Sequence, residues 1–177
     1  MPAPALETDR LILRPFTPDD LDGLHLQLSD AQVMRFYPSV LSRDQSEKWL
    51  EGILRDYAEC GFGMLAIRLK ETAQFIGQAG IMRRIDGGGT HHYLAYLLCR
   101  EFWDFGYATE AARRLLEFGF EQMGLELIEA LVRPENLPSV RVVQRLGMRA
   151  AGVTEHAGFH HDVYAVRREA WVRPELP

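Results

Sequence analysis

At 177 residues the chain is near the length of one domain, taken at about 150 residues, and its 47% apolar and 25% charged side chains are ordinary globular usage, which excludes a disordered, collagen-like or coiled-coil protein. Twenty basic against 25 acidic residues give a net charge of −5, the wrong sign for a protein held on nucleic acid by phosphate attraction. Cys60 and Cys99 have no CxxC or Cys/His spacing, and the longest apolar run, Tyr93 to Cys99, is far short of the roughly 18 residues of a spanning helix, so a soluble cytoplasmic chain with no metal and no membrane segment is expected.

In chain order, Leu11-Ile12-Leu13 before Arg14-Pro15 reads as a short edge strand that the proline closes. Thr17-Pro18-Asp19-Asp20 supplies a cap and a helical first-turn proline, and Leu21, Leu24 and Leu28 carry a first helix to about Ser29. Ser42 opens a second helix through Trp49, Leu50, Ile53, Leu54 and Tyr57, which Gly61 ends. Met64 to Leu69, Phe75 to Met82 and Tyr93 to Leu98 read as three consecutive antiparallel strands, with Asp86 to Gly89 as a hairpin loop.

Thr109 to Met123 is amphipathic, with Ala111, Ala112, Leu115, Leu116, Phe118 and Phe120 on one face and Glu110, Arg113, Arg114, Glu117 and Glu121 on the other. A strand from Leu127 to Val132, a helix from Ser139 to Leu146 closed by Gly147, a strand near Val153 and another from Val163 to Val166 complete the pattern. The expected class is α/β of the α+β type: a central mixed, mostly antiparallel sheet flanked by helices, with residues 1–177 forming one domain.

The segment Phe102 to Ala111 joins an apolar strand to the strongest helix, with small residues where backbone amides would be exposed. Free N–H groups and the positive dipole end make a helix N-terminus an anion site, and Gly106 and Ala108 would let a phosphate approach closely; equally, Gly106 could simply ease a tight turn.

This segment resembles the acyl-CoA pyrophosphate loop of the GNAT superfamily of N-acetyltransferases. Leu6 to Pro15 resembles the opening strand of the branch containing ribosomal-protein N-terminal acetyltransferases, Phe102-Trp103 through Gly106-Tyr107-Ala108-Thr109-Glu110-Ala111 resembles its coenzyme loop, and Asn136-Leu137-Pro138-Ser139 through Arg145-Leu146-Gly147-Met148 its last motif. The resemblance covers nearly the whole chain and implies a GNAT-like acyl-CoA N-acyltransferase fold with acetyl-CoA as cosubstrate. It further implies that Leu97 and Leu98 pair their backbone with the pantetheine arm and that amides of Phe105, Gly106, Tyr107, Ala108 and Thr109 hold the pyrophosphate. Ser139 is implied as proton donor to the departing sulfur, and Asn136 as a partner of the coenzyme arm or a bound water. On the residues alone, Asn136 could form a turn and Ser139 a helix cap. Phe36, Tyr37 and Trp49 are implied to line the acceptor pocket; on the residues alone, aromatics at helical spacing read as core.

Three departures stand out. Asp104 occupies a position where many relatives have glycine, Val143 the place of a frequent tyrosine acid, and Tyr93 that of a frequent acidic base. Glu155, His156, His160 and Asp162 lie nearby in sequence, none with an assigned role. His91-His92 and His160-His161 are adjacent pairs whose members point to opposite faces of a strand, which argues against joint metal ligation. The implied activity is acetyl transfer from acetyl-CoA to a primary amine, a protein N-terminus or a small molecule, by direct attack in a ternary complex of a monomer or homodimer. The competing expectations are a non-catalytic acyl-CoA-binding sensor and a structural interaction domain without the coenzyme site.

Overall fold

The computed structural model describes residues 4–86 and 89–171, which form one eight-stranded sheet in the order β1-β2-β3-β4-β5-β6-β8-β7. Strands β1 (Leu6–Glu7), β2 (Leu11–Pro15), β3 (Met64–Leu69), β4 (Phe75–Asp86) and β5 (Gly89–Leu98) pair antiparallel in succession. Strand β6 (Leu127–Val132) pairs antiparallel with β8 (Phe159–Arg167), which pairs with β7 (Arg149–His156). The two halves meet where β5 and β6 run parallel and share a single pair, Tyr93 with Glu129.

The opening strand is therefore not the sheet edge. The Thr8 hydroxyl oxygen accepts the Leu11 amide at 2.9 Å, and this turn folds Leu6–Glu7 back over β2 as the true edge. Strands β4 and β5 are longer than their apolar runs and stay paired out to Asp86 and Gly89; Gly87 and Gly88 of the expected hairpin loop lie outside the described residues. β7 is a full strand of eight residues where only a short one near Val153 was expected, because its side chains are mostly exposed and a register shift between Ala150 and Gly152 breaks the alternation.

Helix α1 (Leu21–Ser29) follows a single 3₁₀ turn at Pro18–Asp20. Helix α2 (Arg43–Cys60) is fixed at both ends: Ser42 Oγ accepts the Gln45 amide at 3.3 Å, Gln45 Oε1 accepts the Ser42 amide at 2.8 Å, and Gly61 takes φ 76° at the exit. Helices α3 (Tyr107–Glu117) and α4 (Leu137–Arg145) each begin two residues before their first expected position, and α3 runs on into a π-helical turn, Phe118–Gln122.

Side-chain alternation along the strands builds two cores. Leu94, Leu98, Ile128 and Val132 pack with Ala111, Leu115 and Val143 beneath α3 and α4, whereas Met64 and Ala66 pack with Leu24, Leu28, Leu50 and Ile53 beneath α1 and α2. Each fully buried Leu contributes about 2 kcal/mol of transfer free energy, so these faces fix which side each helix covers. Val143 is wholly buried among them and cannot present a proton donor in any case.

Three buried polar anchors interrupt the cores. Asp20 accepts from Arg14 at 2.7 and 2.8 Å, from Arg68 at 2.7 Å and from the Thr17 amide at 2.8 Å. Burial alone would raise the Asp20 carboxyl; these donors outweigh it and hold the group well below the usual carboxylate range. Gln27 and Gln78 hydrogen-bond each other at 2.9 Å between α1 and β4. Glu110, expected on the solvated face of α3, is buried instead, because Thr8 Oγ1, the Arg10 amide and the Arg10 guanidinium converge on it at 2.5 to 3.0 Å.

Candidate active site

The residues expected to form the coenzyme loop follow directly from β5. Trp103 Nε1 donates to the Leu98 carbonyl at 3.0 Å, and Gln27 Nε2 donates to the Leu97 carbonyl at 2.7 Å, so each of these oxygens already has one partner. The chain then turns through Asp104 and Gly106, both with positive φ, 67° and 81°. Asp104 is exposed and in the left-handed region, the conformation that a glycine there would adopt without strain.

Gly106 supplies no side chain to cap α3, and the first helical bond runs from the Glu110 amide to its carbonyl at 3.0 Å. The amides of Tyr107, Ala108 and Thr109 therefore precede any intrahelical acceptor. A Cβ at Gly106 would meet only Arg10, at 3.7 Å, so the approach to these amides is open. Arg10 braces the loop from the far side: its guanidinium donates to the Phe105 carbonyl at 3.1 Å, lies 4.5 Å over the Tyr107 ring and pairs with Glu110 at 2.6 Å. An uncapped helix start with open amides suits the phosphates of a nucleotide coenzyme.

At the start of α4, Asn136 Oδ1 accepts the Ser139 amide at 3.3 Å; Asn136, rather than Ser139, is the cap. That use of Oδ1 leaves the Asn136 amide group as donor to anything bound beside it. Ser139 Oγ lies 2.8 Å from the Tyr96 hydroxyl, which also donates to the Ser139 carbonyl at 3.2 Å. Burial pushes the Tyr96 hydroxyl far above its usual range, so it is protonated at neutral pH and available as a donor.

Beside the split between β5 and β6 opens a cavity of about 410 Å³. Phe36, Tyr37, Trp49, Tyr93, Tyr96 and Phe159 form its aromatic wall, and Asn136 reaches it although Ser139 does not. Phe36 and Tyr37 come from the loop between α1 and α2, which is tied across the split where Arg133 donates to the Phe36 carbonyl at 3.4 Å. Trp49 donates to Gln78 Oε1 at 3.3 Å, continuing the glutamine chain toward the Leu97 carbonyl.

Strand register sorts the polar candidates. His156 pairs opposite Phe159, and both it and His161 face the cavity, whereas Glu155 and His160 are exposed and lie outside its wall. His161 Nδ1 lies 3.0 Å from the Phe159 carbonyl, which can only accept, so the tautomer of the neutral ring has its proton on Nδ1 and its acceptor at Nε2. His91 and His92 point to opposite faces: His91 Nδ1 meets Glu129 at 2.7 Å, and His92 lies against the Phe62 ring. Burial pushes the Cys99 thiol up to about 12, which makes it a poor nucleophile. Among the described residues no cluster of three His, Cys, Asp or Glu side chains could hold a metal, and no helix is long and apolar enough to cross a membrane.

This geometry agrees with the comparisons. Residues 10–149 match the family model described as acetyltransferase (GNAT) domain. The chain belongs to the GNAT acetyltransferase family. YnaD of Bacillus subtilis, named an uncharacterized N-acetyltransferase, is 29% identical over 174 residues, covering 94% of this chain and 98% of that protein. The crystal structure of a GNAT-family acetyltransferase from Bacillus anthracis superposes with a TM-score of 0.80 at 25% identity, over 94% of this chain and 99% of that one. RimL, a ribosomal L7/L12 alpha-N-protein acetyltransferase solved with coenzyme A, shares the fold with a TM-score of 0.75 at 18% identity, over 94% and 99% of the two chains. This GNAT protein is an acyltransferase, and the expectations of a non-catalytic sensor or a structural domain give way to that membership.

Tyr96 is the site residue that sequence reading passed over, because it sits inside the apolar run from Tyr93 to Cys99. Period-two alternation puts Tyr96 on the face of Leu94 and Leu98, toward α3 and α4, and that signal was present. His161 and Arg84 carried no such signal, since only the register across four strands brings them to one cavity.

Proposed function

We propose that this GNAT enzyme transfers the acetyl group of acetyl-CoA to a primary amine by direct attack within a ternary complex. The observation that carries the reading is the Tyr96–Ser139 hydroxyl pair, 2.8 Å apart, standing between an uncapped helix start on one side and an aromatic cavity on the other. Bound acetyl-CoA would supply the activated thioester carbonyl and a thiolate leaving group. The amides of Tyr107, Ala108 and Thr109 would hold its pyrophosphate, with Gly106 leaving the approach clear, while the backbone of β5 about Leu97 and Leu98 would pair with the pantetheine arm. Coenzyme A in the RimL structure is consistent with this use of the fold.

The remaining groups act on protons and orientation. The Ser139 and Tyr96 hydroxyls deliver a proton to the departing sulfur and regain one from the attacking nitrogen as the amide forms, a modest aid because a thiol of pKa about 8.5 already leaves readily. His161 Nε2, fixed as the acceptor nitrogen, receives the proton of the incoming ammonium. Phe36, Tyr37 and Trp49 exclude water and seat the acceptor. The test is a calorimetric titration with acetyl-CoA followed by thiol-release assays over peptides and small amines. Binding near one per chain with amine-dependent thiol release is expected; absence of both heat and thermal stabilisation at millimolar acetyl-CoA would sink the reading.

A further inference from the structure

The far wall of the cavity is basic. Arg84 of β4 lies against His156 of β7, its two terminal nitrogens 2.9 and 3.1 Å from the two ring nitrogens, and the His161 ring stands 5.7 Å from that of His156. Arg133 adds a second guanidinium, 4.2 Å above the Phe159 ring. Among the described residues no Asp or Glu belongs to the cavity wall. Of the described carboxylates near it, Glu129 meets His91 at 2.7 Å, Asp162 lies 3.9 Å from His160, and Glu135 meets Arg133 itself at 3.4 Å, which leaves Arg84 as the guanidinium without a carboxylate. Arg10, Arg14 and Arg68 each meet a buried carboxylate at 2.6 to 2.7 Å, whereas among the described residues Arg84 meets none.

The contact with the His156 ring holds the Arg84 guanidinium at the cavity wall, where its positive charge faces whatever occupies the cavity. A guanidinium presents parallel donors that match a carboxylate or a phosphate. Arg84 lies opposite His91 in the β4–β5 register, two residues from Tyr93, or about 7 Å along the strand from the start of the split at about 3.4 Å per residue. A cavity of about 410 Å³ suits a small molecule better than a folded protein tail. Resting on the acetyltransferase reading above, we infer that the acceptor amine carries an anionic group, carboxylate or phosphate, which Arg84 binds while the aromatic wall encloses the body between. The net charge of −5 favours approach of cations from a distance, but recognition is set by the wall, whose described residues offer a polyamine no carboxylate.

The experiment measures thiol release by the full chain with acetyl-CoA and paired acceptors. L-phenylalanine, 6-aminohexanoate and phosphoethanolamine are each set beside an uncharged-tail twin: phenylalanine amide, hexylamine and ethanolamine. Spermidine and a C-terminally amidated peptide beginning Ser-Ala complete the panel. At least one anionic acceptor should exceed its twin in kcat/KM by about tenfold or more, the worth of a charge-assisted hydrogen bond, with the difference in KM. The pair that shows it distinguishes carboxylate from phosphate. Arg84→Gln should erase the ratio between twins and Arg84→Lys should keep part of it. Better turnover of spermidine, the amidated peptide or the twins overturns the inference, as does a ratio that survives Arg84→Gln or the absence of turnover of any anionic acceptor by protein that binds acetyl-CoA. Failure to bind acetyl-CoA at all is a different result, and it removes the acetyltransferase reading itself.

Discussion

The hydroxyl oxygens of Tyr96 and Ser139 stand 2.8 Å apart and join β5 to the first turn of α4 across the gap where the sheet divides. With Tyr96 donating to the Ser139 carbonyl at 3.2 Å, the Ser139 hydroxyl donates to Tyr96, and a turn of either O–H frees a proton for a neighbouring sulfur. Tyr96→Phe and Ser139→Ala should each lower kcat by about tenfold or more while coenzyme affinity stays within about threefold. Steady-state rates and calorimetry read the two quantities separately, and wild-type rates in both variants would remove the pair from the reaction.

His161 is held in one tautomer by the Phe159 carbonyl at 3.0 Å. His161→Gln keeps the size and a hydrogen-bonding end but has no basic nitrogen, so kcat should fall by about a hundredfold with acceptor KM little changed. A change confined to KM would make His161 a contact for the acceptor and not its base.

Gly106 has φ 81° and open space where a Cβ would go. Gly106→Ala should cost about 1 kcal/mol in stability through backbone strain and leave coenzyme binding measurable, whereas Gly106→Glu should abolish binding by placing a carboxylate at the amides. Comparing the two in thermal melts and acetyl-CoA titrations separates strain from charge; equal affinities would end the pyrophosphate assignment.

Glu110 ties the β1–β2 turn to the first turn of α3 through Thr8 and Arg10, and Arg10 in turn donates to the Phe105 carbonyl of the proposed coenzyme loop. Burial would raise its carboxyl, but the Thr8 and Arg10 donors prevail and hold it below its usual value. Glu110→Ala strands those donors and should cost about 2 kcal/mol or more, lowering the melting temperature by several degrees and weakening acetyl-CoA binding as the loop loosens. Unaltered coenzyme affinity in a destabilised variant would confine Glu110 to structure.

Asp20 governs acid stability. Its folded pKa is depressed, so its contribution is complete above the unfolded value of about 3.9 and is lost as pH falls below that toward the folded value. Wild type should be more stable than Asp20→Asn at pH 7 by about 2 to 4 kcal/mol, and the gap should narrow below about pH 4. Denaturant titrations at pH 7 and pH 3 measure it; a gap that stays constant would show that the charge is not the source.

Local signals were legible where the cause is local. Ser42 and Gly61 bracket α2 as their capping and left-handed preferences dictate, and the strands from Met64 to Leu69 and Leu127 to Val132 have the bounds their apolar runs indicate. The starts of α3 and α4 were placed late because the apolar period begins after the first turn, which is held by Gly106 and Asn136 instead. Glu110 read as a surface residue because the groups that bury it lie 100 and 102 positions away. Arg84 and His156 meet across 72 positions, and no spacing rule reaches that far.

The single bridge between Tyr93 and Glu129 makes the sheet a clasp rather than a plate. Each half is zipped along its own ladders, so a change in the width of the slot would break no ladder bond within either half. It would be opposed by the side-chain ties across the slot, Tyr96 with Ser139 and Arg84 with His156 among them. The width of the slot is then set by the side chains wedged beneath it, Leu94, Ala130 and Val143 among them. Opening to admit a slender, extended arm deforms packing and leaves the backbone pairing of both halves intact.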